Sequence, residues 1–111
     1  MQVQRLGWLG TRTDRFMAMA AFYQDVLRLT PDEQDHDFAV FRLANGDAVE
    51  LFGPDGPPRE HFTTGPVAGF VVDDVAVACE ELRAAGIELL GDLGAEGGTR
   101  WQHFRAPDGN V

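Results

Sequence analysis

Phe41-Arg42-Leu43-Ala44-Asn45-Gly46-Asp47-Ala48-Val49-Glu50 is answered 63 positions later by Phe104-Arg105-Ala106-Pro107-Asp108-Gly109-Asn110-Val111. In both stretches an aromatic residue and an arginine lead into a polar turn that holds a glycine. Asn45-Gly46 is the strongest short turn signal in the chain, because both residues tolerate the positive φ that tight hairpins require. Its flanks, Phe38–Leu43 and Asp47–Phe52, read as the two strands of a hairpin. The second copy predicts the same turn around Pro107-Asp108-Gly109. A carboxylate, Glu50, stands four positions after the first turn glycine; the matching position after Gly109 falls two residues beyond Val111.

On the N-terminal side, Phe16, Met19, Ala20, Tyr23, Val26 and Leu27 recur at helical spacing behind Asp14, which predicts an amphipathic helix capped by Asp14 and running to about Arg28. Arg28 stands where glycine would most easily adopt a left-handed cap, and Pro31 forbids continuation. Thr30–Asp37 reads as a polar edge strand or a loop, and Val3–Thr13 as a first strand. The first half is therefore β-α-β-β-β. The order restarts after a connector, 54–66, whose prolines argue against regular structure. Val67–Asp73 is strand-like, Asp74 caps a helix with Val75, Ala78, Cys79, Leu82 and Ala85 on one face, and Gly86 closes it. Ile87–Leu90 predicts a short strand, Gly91–Gly98 a glycine-rich loop acting as a lip, and Arg100–Arg105 a strand into the second turn. Asp14 and Asp74 are 60 positions apart, close to the 63 that separate the turn glycines, as a repeated module demands. The expected organisation is one domain, 1–111, with a first module at 1–53, the connector at 54–66 and a second module at 67–111, truncated in its last strand.

Composition excludes several classes. Eighteen acidic residues against nine arginines, with no lysine, give a formal charge of −9. Nucleic acid is disfavoured as a partner, since phosphate binding needs a basic surface. A cationic small molecule would be attracted, although acidity also serves plain solubility. No run approaches the roughly 20 apolar residues of a membrane span, and no signal peptide precedes the first strand, so the expected location is the cytoplasm. Cys79 is the only cysteine and reads as a small buried hydrophobe. The glycines of Gly91–Gly98 lack the spacing of a phosphate loop.

Gly10-Thr11-Arg12-Thr13-Asp14, Phe22-Tyr23-Gln24-Asp25-Val26-Leu27, Val49-Glu50-Leu51-Phe52, Phe70-Val71-Val72-Asp73-Asp74 and Phe104 to Asn110 together resemble the glyoxalase, bleomycin-resistance and extradiol-dioxygenase superfamily, the vicinal oxygen chelate proteins. The resemblance implies an α+β fold of two tandem βαβββ modules forming a half-open barrel around a ligand groove, and a homodimer. In metal-using members it implies a His, Gln or Glu on the first strand of each module and a Glu on the last, closing around Zn, Ni, Mn or Fe. Carried onto this chain, the first-strand positions fall on Trp8, or on Gly7 if the strand is read without a one-residue shift, and on Val67; none offers a metal-binding donor. Glu50 fits the first carboxylate position.

These residues support two readings. One is a metal-free, cofactor-free protein resembling the drug-sequestering bleomycin-resistance branch, which binds an organic ligand, cationic or aromatic, in its groove. The other is a glyoxalase-like lyase, an isomerase or a dioxygenase that uses Glu50, with or without a divalent metal. Glu50 lies between Val49 and Leu51 on a predicted strand, so it should point away from the helix-packing face, as a base, a cation anchor, a relict ligand or a carboxylate paired with Arg42 or Arg12. His103 is the candidate for groove hydrogen bonding or acid–base work, with Trp101 on the same side of its strand; a strict two-residue hairpin would turn Phe104 inward instead. Trp8, Phe52 and Trp101 are candidate ligand walls, and equally ordinary core. His36 and His61 read as solvated, and Phe16, Phe22 and Tyr23 as helix packing.

Overall fold

A computed structural model describes residues 1–56, 61–63 and 65–111. The chain is α+β, with strands β1 (Val3–Arg12), β2 (Pro31–Gln34), β3 (Phe38–Arg42), β4 (Ala48–Phe52), β5 (Val67–Val72), β6 (Glu88–Glu96) and β7 (Thr99–Arg105), and helices α1 (Phe16–Ala21) and α2 (Val75–Ala84). The element order is βαβββ, then βαββ and a turn, the two-module pattern expected from the repeat. It divides into two compact units, Leu6–Phe70 and a second that joins Met1–Arg5 to Val71–Val111. Among the described residues no helix is long and apolar enough to cross a membrane. Part of the predicted connector, 57–60 and 64, lies outside the described residues.

In the Leu6–Phe70 unit the strands lie in the order β2-β3-β4-β1-β5. β3 and β4 pair antiparallel, Phe41 opposite Val49 and Val40 opposite Glu50, and β1 runs parallel to β4 with Gly10 opposite Glu50. Because side chains alternate across a strand, this register sorts them into two faces. Ala39, Phe41, Val49 and Leu51 share one face and are buried with Phe16, Ala20 and Tyr23 of the helical segment. Trp8, Gly10, Arg12, Val40, Glu50 and Phe52 fall on the other. Glu50 thus points away from the helix, as alternation predicts.

The helical segment departs from the predicted pattern. After Ala21 the backbone continues as a π-helical turn, Phe22–Val26, in which the Leu27 N–H donates to the Phe22 carbonyl at 3.1 Å. A π turn adds one residue to the helical repeat and rotates the residues after it. Val26 and Leu27 consequently face outward, Phe22 is also exposed, and Leu29 packs on the core in their place. The predicted packing role of Phe22 and the Asp14 cap are both corrected: Arg15 takes the cap position with no side-chain cap bond, and the Arg15 N–H donates to the Thr13 hydroxyl at 3.0 Å. Arg28 does adopt the left-handed conformation, φ 60°, that its position at the helix end calls for.

In the second unit α2 begins as predicted. The Asp74 carboxylate accepts from the Ala76 and Val77 N–H groups at 2.8 and 3.2 Å, and Gly86, φ 77°, closes the C-terminal end. Cys79 is buried, as expected of a small hydrophobe. The predicted loop Gly91–Gly98 is mostly strand: β6 runs on to Glu96 and only Gly97-Gly98, both at positive φ, form the turn into β7. A bulge between Leu90 and Gly94 lets three residues of β6 oppose Gln102. The Gln102 amide nitrogen fills that gap by donating to the Leu90 and Gly91 carbonyls at 3.0 and 3.1 Å.

The repeated stretches fold alike, bond for bond. In the first turn Gly46 N–H donates to Leu43 O at 2.9 Å and Leu43 N–H to Asp47 O at 2.8 Å; in the second Gly109 N–H donates to Ala106 O at 2.8 Å and Ala106 N–H to Asn110 O at 2.7 Å. Arg42 donates to the Gly46 carbonyl at 3.2 Å and Arg105 to that of Gly109 at 3.0 Å. Each arginine also pairs with an acidic residue of its own unit, Asp32 at 3.1 Å and Glu88 at 3.2 Å. Gly46 and Gly109 have φ of 88° and 89°, a conformation in which a Cβ would be strained.

Candidate functional site

Three of the five residues singled out from sequence meet on one sheet face. Trp8 on β1 and Glu50 and Phe52 on β4 share the side opposite the helix. Glu50 is half-buried, with Gly10 as its neighbour on β1 and the buried Val40 as its neighbour on β3. The indole of Trp8 lies across Gly10, where a Cβ would come within 2.1 Å of its Cη2 atom. On that face the strand neighbours of Glu50 are therefore Gly10, covered by the Trp8 indole, and the aliphatic Val40.

Phe52 is more deeply buried than Trp8 and Glu50. At 5% exposure it is core, its ring 6.5 Å from that of Trp8, 5.3 Å from Phe38 and 5.5 Å edge-on from Phe62. The Arg12 guanidinium lies between Phe52 and Phe62, 5.1 and 5.0 Å from the two ring centres. Its Nη1 donates to the Gly53 carbonyl at 2.7 Å and to that of Gly56. A buried guanidinium is tolerated when carbonyl dipoles and ring faces replace its hydration. Arg12 so ties the start of the connector to the aromatic cluster beside the site. Only part of this cluster has a signal in the sequence: Phe38 alternates with Val40, but Phe62 stands in a connector with no periodicity to place it.

Trp101 and His103 belong to the second unit, two residues apart on β7. Trp101 pairs with Gly94 and is 41% exposed; its ring lies over that glycine, with Cε2 2.2 Å from where a Cβ would be. His103 is half-buried and pairs with Leu90. In the repeat, Phe104 stands at the position of Phe41 and His103 at that of Val40. The turn after β7 is longer than a strict two-residue hairpin.

A divalent ion needs several donors that converge. Among the described residues no three of His, Cys, Asp or Glu gather so that they could hold one. Trp8 carries no lone-pair donor, and Val67, at the buried start of β5, carries none either. Among the described residues, Trp8 and Val67 supply no donors for two of the four ligand positions that the resemblance implies.

Residues 5–111 match the family model described as Glyoxalase/Bleomycin resistance protein/Dioxygenase superfamily. The chain belongs to that superfamily. Solved structures agree on the fold of this glyoxalase-superfamily chain. The Mn(II)-bound glyoxalase from Novosphingobium aromaticivorans is 24% identical with a TM-score of 0.76, over 96% of this chain and 36% of that one. A variant of Streptomyces coelicolor methylmalonyl-CoA epimerase in complex with 2-nitronate-propionyl-CoA is 17% identical, TM-score 0.67, over 93% and 88% of the two chains. A Legionella pneumophila structure described as an NAD-dependent benzaldehyde dehydrogenase is 18% identical, TM-score 0.65, over 93% and 91%. No curated protein sequence matches the chain.

Proposed function

We propose that this superfamily member binds a small, planar organic cation on the β1–β4 face without a metal, in the manner of the drug-sequestering bleomycin-resistance branch. The observation that carries the reading is the setting of Glu50: a half-buried carboxylate between the Trp8 indole, seated over Gly10, and Val40. A carboxylate with an apolar flank on each side attracts a cation more strongly than one in bulk water, because the effective dielectric is lower. An adjacent indole adds cation–π attraction of about 0.5–2 kcal/mol and accepts a flat ring by stacking. The net charge of −9 favours the approach of cations over anions. The inert side chains at Trp8 and Val67 support the metal-free part of the proposal.

Metal analysis separates this reading from an enzymatic one. Protein dialysed against Mn, Zn, Ni and Fe salts in turn and then freed of loosely held ions is expected to retain far less than one ion per chain. Stoichiometric metal that disappears in Glu50→Ala, together with a glyoxalase, isomerase or dioxygenase activity that depends on it, would contradict the proposal.

A further inference from the structure

Gly10 sits in the interior of a strand, where glycine has an entropic cost and no side chain to pack. Its backbone does not require glycine, for it is absent from the residues at positive φ, unlike Gly46, Gly86 and Gly109. What requires it is space. A Cβ there would meet the Cη2, Cζ2 and Cζ3 atoms of Trp8 at 2.1, 2.5 and 2.9 Å, so the benzo ring of the indole fills the side-chain position of Gly10 itself. Gly69 on β5 borders the same indole, its missing Cβ 3.2 Å from the Cβ and Cε3 of Trp8. The chain repeats the device in the other unit, where Gly94, also not at positive φ, lies under the ring of Trp101.

The position filled by the indole is the one directly across from Glu50 in the β1–β4 register. Neighbouring strands are about 4.8 Å apart, so the indole is held beside the stem of that carboxylate. We propose that Gly10 is a specificity-determining position of this face: by lacking a Cβ it seats the Trp8 indole against the strand and fixes the aromatic wall beside Glu50. The inference rests on the cation-binding reading for its consequence, and on geometry alone for the seat. With any side chain at Gly10 the ring must leave the strand, which moves the wall away from the place where it and the carboxylate can hold one planar cation together.

The test uses Trp101→Phe as the parent, so that Trp8 is the sole fluorophore tryptophan, and proflavine, a flat tricyclic cation, as the probe. Gly10→Ala is expected to shift the Trp8 emission maximum and change its quenching by acrylamide while far-UV circular dichroism stays as in the parent. It should also weaken proflavine binding by about tenfold or more. Because the loss acts through the indole, adding Gly10→Ala to Trp8→Leu should weaken binding no further than Trp8→Leu alone. Unchanged Trp8 emission and quenching in a folded Gly10→Ala would overturn the seat, and independent, additive losses would overturn its role in specificity. If Gly10→Ala does not fold, Trp8→Leu combined with Gly10→Ala should restore folding by removing the clash; failure to do so also overturns the proposal. A parent that binds no proflavine, while Gly10→Ala still moves the Trp8 spectrum, would sink the ligand reading and the specificity role but leave the seat standing.

Discussion

The turn at Leu43–Asp47 and the turn at Ala106–Asn110 share their backbone hydrogen bonds, their arginine clamp and their glycine φ, yet the units around them differ. In the first, the strand after the turn is β4, which supplies Val49 and Leu51 to the core and Glu50 to the opposite face. In the second, the strand before the turn is β7, which pairs with β6, and its Phe104, the repeat counterpart of Phe41, is half-buried. The turn is a local matter, settled by which residues accept positive φ and which side chains bond their own backbone. The carboxylate site depends on a strand pairing that brings Gly10, Glu50 and Val40 into one row.

Truncating the repeat-matched aromatics should separate the two units most strongly. Phe41 is fully buried, and Phe41→Ala should cost about 3–5 kcal/mol in denaturant unfolding. Phe104, its counterpart, is half-buried and should cost about half as much on the same scale. Equal losses would mean that the two units are equally well packed, and the contrast between them would fail.

A smaller effect distinguishes the helices. Asp74→Ala removes a cap that accepts two N–H bonds and should cost about 1 kcal/mol, whereas Asp14→Ala should cost well under half of that, since Asp14 caps nothing. Gly46→Ala and Gly109→Ala should each cost about 1 kcal/mol and match each other, because the strain is set by nearly the same φ. A marked inequality would show that the turns are less alike than their hydrogen bonds indicate.

The smallest effect is with pH. The Asn110 backbone N–H, and after it the Asn110 side-chain amide, holds the Asp108 carboxyl below the ordinary carboxylate range. A depressed carboxyl stabilises the fold above its unfolded pKa and loses that contribution as pH falls through the lowered folded value. The Asn110 amide resonance should accordingly titrate at a pH below that of a free aspartate. Titration at or above the free value would show that the second turn lacks the bond to Asp108.

The turns, the α2 cap, the left-handed Arg28 and the face of Glu50 are legible in the sequence, because each is encoded within a few residues or by strict alternation. Features that depend on a change of period are not. Nothing in Phe22–Val26 announces a π turn, so regular helical spacing puts Val26 and Leu27 on the core face although the extra residue rotates them out. The β6 bulge is hidden for the same reason: three glycines in Gly91–Gly97 resemble a loop, while pairing with β7 keeps most of that segment in a strand. The candidate site is half legible. Trp8 and Glu50 can be named from position, but that Trp8 occupies the side-chain space of Gly10, and that Phe52 is enclosed by Phe38, Phe62 and Arg12, depends on contacts between distant segments.

Whether Glu50 and its aromatic neighbour form a cation-binding face is decided by equilibrium dialysis of proflavine against the parent protein and Glu50→Gln, at low and high salt. Binding to the parent should weaken with salt, and Glu50→Gln should lose about tenfold or more in affinity with its unfolding midpoint unchanged. Equal affinity in the two proteins, or a preference for an anionic dye of the same shape at low salt, would contradict a cation site at Glu50.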